Sequence, residues 1–387
     1  MREWRRYSGA DSRRPVATTV GVLHIAPSAL EPAAFATASP PNPPRGDRRV
    51  PVPSPGPRRR PSRIGTLFTA VGLVATLGSA GVLVAARQQE DRIARVAGLQ
   101  GVLSPASATV ENFLLVGSDS RDGSDPNSPD FGGIGGVDDV SGNRSDTIMV
   151  LRRDRNGGAA SLLSIPRDLW VDIAGAGKKS RINSAYQDGP ATLIRTVQTA
   201  LGIPIHHYAE IDFQGFKSLV DAVGGVQVCF STAAQDGHTG LYIEKPGCYL
   251  LDGVQGLAYA RSRYYETYEN DAWVRDPTSD LGRIKRQQQF VNAALSAALA
   301  AIKSNPLRTG EVLAAGTGAV RLDDQLDVLT AAGDLRAVVG SGLDPYSLPV
   351  VGKDIDGKAV LLLGDGAQVI LDYFSGASTI APALPTP

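Results

Sequence analysis

The chain is 387 residues long, 42% hydrophobic and 20% charged, a globular composition with room for one large domain or two ordinary ones. It excludes a chain disordered throughout. The formal charge of zero, 39 basic against 39 acidic residues, hides an uneven split, because residues 1–63 hold twelve Arg and only four acids.

Residues 1–63 are rich in Pro, Arg, Ala and Ser, as in Pro40-Pro41-Asn42-Pro43-Pro44, and cannot bury enough apolar surface to offset chain entropy. They read as a disordered tail. Ile64–Ala86 is an uncharged stretch, which as a helix would span about 34 Å and cross a bilayer with some tilt. Arg58, Arg59, Arg60 and Arg63 precede it, while Arg87 is partly balanced by Glu90 and Asp91, so the positive-inside bias places the N-terminus in the cytoplasm. The expected location is the cell membrane, single-pass, with everything after Arg87 extracytoplasmic. Topology and anionic lipid account for the Arg cluster, and no nucleic-acid partner is expected.

Residues 87–109 read as an extracytoplasmic linker, 110–375 as one α/β domain and 376–387 as a disordered Pro- and Ala-rich tail. Within the domain, short apolar runs alternate with amphipathic segments. Strands are expected at Asn112–Gly117, Asp146–Arg152, Ala160–Ile165, His207–Ile211 and Val226–Phe230, with weaker ones at Ser347–Val351 and Ala359–Leu363. Helices are expected at Thr192–Leu201, Phe213–Val223, Val254–Tyr259, Leu281–Lys303 and Gln325–Val339. The fold class that follows is an α-β-α sandwich around a mixed, largely parallel central sheet. Asp122–Asn143 breaks the pattern and reads as a mobile loop; its Gly-rich run lacks the Lys-Ser/Thr of a phosphate loop.

Cys229 and Cys248 are the only cysteines, in a segment that reads as strand, loop, strand. A disulfide closing such a loop would stabilise by about 3 kcal/mol and require an oxidising compartment. The alternative is a pair of unbonded thiols. Adjacent His206 and His207 point to opposite faces of a strand and form no two-His metal site. No Gly-x-Ser-x-Gly elbow is present, which argues against a serine hydrolase.

Polar clusters recur at the ends of apolar runs: Asp119 with Arg121, Asp146 after Arg144, Arg167 with Asp168, and Arg261 with Arg263. A further set, Asp280, Arg283, Arg286, Gln287 and Phe290, follows helical spacing that brings side chains onto one face. Arg offers planar, bidentate recognition of phosphate oxygens, and two carboxylates suit Mg²⁺ held jointly with substrate phosphates. Together they describe a receptor for a pyrophosphate and its metal. Phe213, Phe216, Leu219, Val220 and Val223 recur at helical spacing and fit either core packing or an apolar slot.

The ordered motifs Gly117-Ser-Asp-Ser-Arg, Arg144-Ser-Asp-Thr, Ser164-Ile-Pro-Arg-Asp, Arg181-Ile-Asn-Ser-Ala-Tyr, Val223-Gly-Gly-Val, Tyr259-Ala-Arg-Ser-Arg and Asp280–Gln288 resemble those of LytR-CpsA-Psr envelope proteins, actinobacterial type. The resemblance implies a phosphotransferase that moves a glycopolymer from a polyprenyl (pyro)phosphate carrier to peptidoglycan. It implies Mg²⁺, with Mn²⁺ as the alternative, held by Asp119 and Asp146. Arg167, Arg261, Arg263 and Arg286 would bind the phosphates, with Arg121, Asn183, Arg283 and Gln287 completing the polar wall. Asp168 and Asp280 are the first acids to test as general base. Two other readings stand beside it: a pyrophospholipid hydrolase, the same site with water as acceptor, and a non-enzymatic envelope sensor or transcriptional attenuator whose Arg-rich cytoplasmic tail contacts a partner or nucleic acid.

Two departures stand out. The segment between Asp119 and Asp146 is long, so the two meet only if the Gly-rich loop folds aside. Tyr264–Pro277 is an insertion whose Tyr264, Tyr265, Tyr268 and Trp273 are expected either to stack on sugar rings or to form a surface flap.

Overall fold

The computed structural model describes residues 93–107, 109–120, 145–155, 160–304, 318–327 and 343–384. The N-terminal tail, the Ile64–Ala86 span, the Asp122–Asn143 loop and most of the expected Gln325–Val339 helix lie outside these residues. Among the described residues no helix is long and apolar enough to cross a membrane.

The described chain opens with β1 (Ala94–Val96), β2 (Val110–Ser118), β3 (Ser145–Asp154) and β4 (Ala160–Ser164). A ribbon of β5 (Trp170–Asp172) and β6 (Lys179–Arg181) and a 3-10 turn over Ile182–Asp188 lead into α1 (Pro190–Leu201). Next come β7 (His207–Ile211), α2 (Phe213–Ala222), β8 (Val226–Phe230), β9 (Ala234–Asp236), β10 (Leu241–Ile243), β11 (Gly247–Leu251) and α3 (Gly253–Arg261). The strands β12 (Glu266–Glu269) and β13 (Ala272–Arg275) precede the long α4 (Asp280–Ser304). β14 (Val320–Asp323), β15 (Leu343–Ser347), β16 (Val350–Ile355), β17 (Lys358–Leu363) and α5 (Ala367–Ser375) follow.

Seven strands form the central sheet in the order β1-β14-β7-β2-β3-β4-β15. It is mixed, but not largely parallel as expected. β1/β14, β2/β7 and β4/β15 run parallel, while β7/β14, β2/β3 and β3/β4 run antiparallel. The chain between β3 and β4 is too short for a crossover helix, so those strands must reverse.

Alternation along β2 and β3 sends side chains to two apolar layers. Leu114, Val116, Ile148 and Val150 pack with Leu193, Ile194 and Val197 of α1 and Phe374 of α5. Met149 joins Leu162 and Leu343 on a second cluster, against which Val291 of α4 packs. Helices thus cover both faces. The expected linker proves to be part of the fold in its described portion: β1 is the sheet edge, and Val96 and Leu99 enter the core. Described residues of the expected C-terminal tail also dock, with the Tyr346 hydroxyl donating to the Pro382 carbonyl at 3.1 Å.

Two caps set the helices that face the site. The Asp212 carboxylate accepts from the Gly215 amide at 2.7 Å to start α2, and Asp252 with Gln255 forms a capping box for α3. Gly256 lets α3 approach α4, since a Cβ there would stand 2.6 Å from the Phe290 ring. After α2, Gly224 and Gly225 adopt φ of +86° and +93°, the left-handed turn that the Val223-Gly-Gly-Val motif supplies. That turn aims the chain into β8, which pairs antiparallel with β11 and sets Cys229 directly opposite Cys248 in a disulfide.

Candidate functional site

The β2–β3 ladder delivers the first two acids. Gly117 pairs with Thr147 and Ser118 with Ser145, so Asp146 is the extra residue of a bulge. Bulges re-aim side chains next to sites. Asp119 follows Ser118 directly, so both aspartates sit at the same end of one antiparallel pair. The antiparallel pairing of β2 with β3 brings the two positions to one end of the sheet despite their separation in sequence, and the loop between them lies outside the described residues.

Around Asp146 stand the arginines. Its Oδ1 accepts from Arg167 Nη1 at 2.7 Å and from Arg263 Nη2 at 3.1 Å. Asp280, first residue of α4, is the second hub: Arg283 Nη2 lies 2.9 Å from its Oδ1, Arg263 Nε 3.3 Å and Arg167 Nε 3.8 Å. Asp168 stands 3.4 Å from Arg181 and 3.7 Å from Arg167. Three guanidiniums therefore share two carboxylates.

The electrostatics follow from that crowding. Burial pushes Asp146 up, but Arg263, Arg283 and Arg167 outweigh it and hold the carboxyl below its ordinary range. Burial pulls Arg167 down, and Asp146, Asp280 and Asp168 more than reverse this. For Arg283, 2% exposed, burial wins and lowers it to about 10 despite Asp280. Arg167 and Arg283 stay charged at neutral pH, and guanidiniums outnumber carboxylates three to two in the cluster.

An apolar cavity of about 270 Å³ adjoins the cluster, walled by Leu115, Phe213, Phe216, Leu257, Phe290 and Val291. Asp146, Arg261, Arg283 and Gln287 also line it. Arg261 lies 4.5 Å over the Phe213 ring, and the Gln287 amide donates to the Ala260 carbonyl at 3.1 Å. Of the candidate slot residues, Phe213 and Phe216 reach this cavity, while Val220 and Val223 belong to the core beneath β8 and β11.

Arg286 is engaged elsewhere. Its guanidinium pairs with Asp276 at 2.9 Å, donates to the Ser262 carbonyl at 2.8 Å and lies 4.4 Å over Tyr265. It ties the β12–β13 insertion to the chain before Arg263. Asn183 acts through its backbone, donating to the Arg167 carbonyl at 3.1 Å and fixing the loop that carries that arginine. Arg121 lies outside the described residues. Glu210, which was not among the expected residues, lines the cavity, is 4% exposed and accepts from the Tyr208 hydroxyl at 2.9 Å. Its signal was an acid between Ala209 and Ile211 within a predicted strand.

The residues fit Mg²⁺ in one way. Asp119 and Asp146 offer hard oxygens, and the hydrogen bonds from Arg167 and Arg263 to Asp146 fall on its Oδ1. Among the described residues no three His, Cys, Asp or Glu side chains form a protein-only cage. Such a set suits an ion completed by substrate phosphates.

The fold and site define a mixed α/β protein in which arginines and carboxylates cluster beside an apolar cavity. The chain belongs to the LytR_cpsA_psr family, which matches residues 80–369. It is 37% identical over 256 residues to the Corynebacterium glutamicum protein named "Probable cell wall biosynthesis protein LcpB", covering 66% of this chain and 58% of that one. Over 217 residues it is 38% identical to the polyisoprenyl-teichoic acid–peptidoglycan teichoic acid transferase TagU of Halalkalibacterium halodurans, covering 54% of this chain and 67% of that one. The match thus spans less than two-thirds of the length of LcpB. Among solved structures, the LytR-Csp2A-Psr enzyme from Actinomyces oris shares the fold at 24% identity and TM-score 0.56, over 73% of this chain and 96% of that one. B. subtilis TagT bound to LI-WTA shares it at 20% identity and TM-score 0.53, over 73% and 99%.

Proposed function

We propose that the protein is a phosphotransferase that moves a glycopolymer from a polyprenyl (pyro)phosphate carrier to peptidoglycan. The observation that carries this is the sharing of Asp146 by Arg167 and Arg263 beside an apolar cavity that Arg261 and Arg283 also line. Relatives named for teichoic acid transfer to peptidoglycan, and a fold neighbour bound to LI-WTA, support the same substrate class.

In this reading the cavity holds the first isoprene units of the carrier, and the arginines bind the phosphates. An acceptor hydroxyl oxygen attacks the phosphorus that bears the saccharide. The bond from that phosphorus to the carrier phosphate breaks, and the carrier phosphate leaves with the electron pair. The sugar phosphate stays in a phosphodiester link. Arg167, Arg263 and Arg283 neutralise charge on the transferred group, and their carboxylate partners pre-position them, the main work that phosphoryl transfer asks of a protein. Mg²⁺ at Asp119 and Asp146, or Mn²⁺ in its place, would supply Lewis-acid stabilisation of the phosphate oxygens. Besides Asp146, Asp168 and Asp280 are the carboxylates beside these arginines, and they are the ones to take the acceptor proton in this reading. The uncharged Ile64–Ala86 stretch supports a membrane location with the domain outside.

The test is product analysis. The full chain is incubated with a radiolabelled saccharide on polyprenyl pyrophosphate, with and without peptidoglycan. Label on peptidoglycan through an acid-labile phosphodiester is expected. Release of free sugar phosphate even with peptidoglycan present would identify a hydrolase, and no turnover in either arm would leave the sensor reading.

A further inference from the structure

The four-stranded sheet β10-β9-β12-β13 turns one face of β9 and β10 into the core, while β13 is exposed along its whole length, and the opposite face is one that the reaction site does not use. Ala234, Leu241 and Ile243 point inward and are buried. Register places the alternate positions together on the outer face. Tyr242 pairs with Gln235, Gln235 with Glu266, Glu266 with Arg275 and Tyr268 with Trp273. Directly paired residues share a face. A row of amide, carboxylate, guanidinium and aromatic groups therefore crosses the sheet.

This face borders a cleft of about 520 Å³ lined by Gln235, Tyr242, Glu266, Arg275, His238 and Tyr264. The Tyr264 ring stacks on His238 at 3.9 Å and lies under the Arg275 guanidinium at 4.3 Å. The Gln235 amide donates to Glu266 at 2.7 Å. Beyond the cleft, Tyr268 and Trp273 meet edge to face at 5.3 Å and remain 42% and 37% exposed. Arg275 opposite Glu266 leaves the surface without an excess cation, unlike the arginine cluster. Aromatic faces framed by paired polar groups suit a neutral polyhydroxylated ring, which offers apolar C–H faces and hydroxyl edges.

The cleft is tied to the reaction site by one short segment. Ala260 and Arg261 line the apolar cavity, Arg263 bonds Asp146, and Tyr264 lines the cleft. Asp236, fully buried, accepts from the Ser262 hydroxyl at 2.6 Å and the Tyr264 amide at 2.9 Å, and so clamps the chain on both sides of Arg263. Cavity, arginine cluster and cleft thus follow one another along five residues.

We propose that the outer face of β10-β9-β12-β13, with Tyr268 and Trp273 as stacking surfaces, is a saccharide-binding platform for the glycan strand of the acceptor. The proposal rests on the phosphotransferase reading for the word acceptor, and on the sheet alone for the word saccharide. Tyr265 is not part of it, because it is turned inward beneath Arg286. The insertion is then the element that presents the incoming hydroxyl to Arg263.

The experiment uses the detergent-solubilised full chain with an N-acetylglucosamine oligosaccharide as probe, followed by calorimetry, and measures KM separately for peptidoglycan and for the lipid-linked donor. The Tyr268→Ala/Trp273→Ala double variant is expected to lose about tenfold in oligosaccharide affinity. Its KM for peptidoglycan should rise in step while that for the donor stays put, and Trp273→Phe should recover most of the loss. The idea is overturned if the wild type does not bind the oligosaccharide, if the double variant binds as the wild type does, or if the donor KM moves instead. Trp273-dependent binding without any transfer keeps the platform and discards the phosphotransferase reading. Transfer with unchanged acceptor KM in the double variant does the reverse.

Discussion

Ser118 lies opposite Ser145 across the β2–β3 ladder, one step beyond the pairing of Gly117 with Thr147. The odd residue out is Asp146, which the bulge turns toward Arg167 and Arg263. Gly117 is part of the device, since a Cβ at that position would stand 3.0 Å from the Thr147 Cβ.

Replacing Asp146 by Asn keeps the shape and removes the charge that two guanidiniums share. Transfer should fall by about 10²-fold, the scale seen when a preorganised charge partner is lost. Affinity for inorganic pyrophosphate without metal should hold or rise, because the arginines lose a competitor. Steady-state kinetics and calorimetry read the two effects separately.

Arg283 is 2% exposed and lies 2.9 Å from Asp280. Arg283→Met leaves a carboxylate short of its nearest partner, at a cost of about 3 kcal/mol in unfolding free energy. Urea titration checks this. The Arg283→Met/Asp280→Leu double variant should recover much of the stability and none of the activity.

His207 and Glu111 form a separate ionic network on the sheet, far from the arginine cluster in sequence. Burial pulls His207 down, but Asp323 at 3.3 Å and Glu111 at 3.2 Å raise it from 6.5 to about 9. A raised pKa stabilises fully below 6.5, and that contribution is lost as pH climbs through 9. Burial raises Glu111, but His207, Arg153 and Arg155 lower it from 4.5 to about 2, so its contribution is present above 4.5 and lost as pH falls through 2. The melting temperature should peak between those limits and decline on the alkaline side by on the order of 2 kcal/mol of stability. His207→Gln should flatten the alkaline limb; an unchanged limb would contradict the network.

The Cys229–Cys248 bond joins strands 19 residues apart in sequence and closes the sheet beside α3. Cys229→Ser/Cys248→Ser should cost about 3 kcal/mol. Urea midpoints with and without dithiothreitol should differ for the wild type and coincide for the double variant.

Much of this was legible in residues. Period-two and period-3.6 patterns located β2, β3, β4, β7 and α1 to α4 within a few positions, because burial imposes them. Strand direction was not, since an apolar run reads the same either way; the short β3–β4 connection carried that information. The expected Ser347–Val351 strand straddles Leu348-Pro349, where β15 ends and β16 begins, as a proline that cannot donate to a ladder requires. On α4, Arg283 and Gln287 face the cavity, while Arg286 stands about 100° round the axis from Gln287 and meets the insertion instead. Helical spacing grouped all three because it does not say which flank the neighbours cover. The sharing of Asp146 by arginines from distant segments exists only in the fold.

The most direct test of the arginine hub is the transfer rate of full-length Arg263→Ala, with Arg286→Lys as control, using the lipid-linked saccharide and peptidoglycan. Arg263 touches both Asp146 and Asp280, whereas Arg286 serves Asp276 and Tyr265. Arg263→Ala should lose about 10²-fold or more in rate with its fold intact by circular dichroism, and Arg286→Lys should lose stability before rate. Wild-type transfer by Arg263→Ala would contradict the account at its centre.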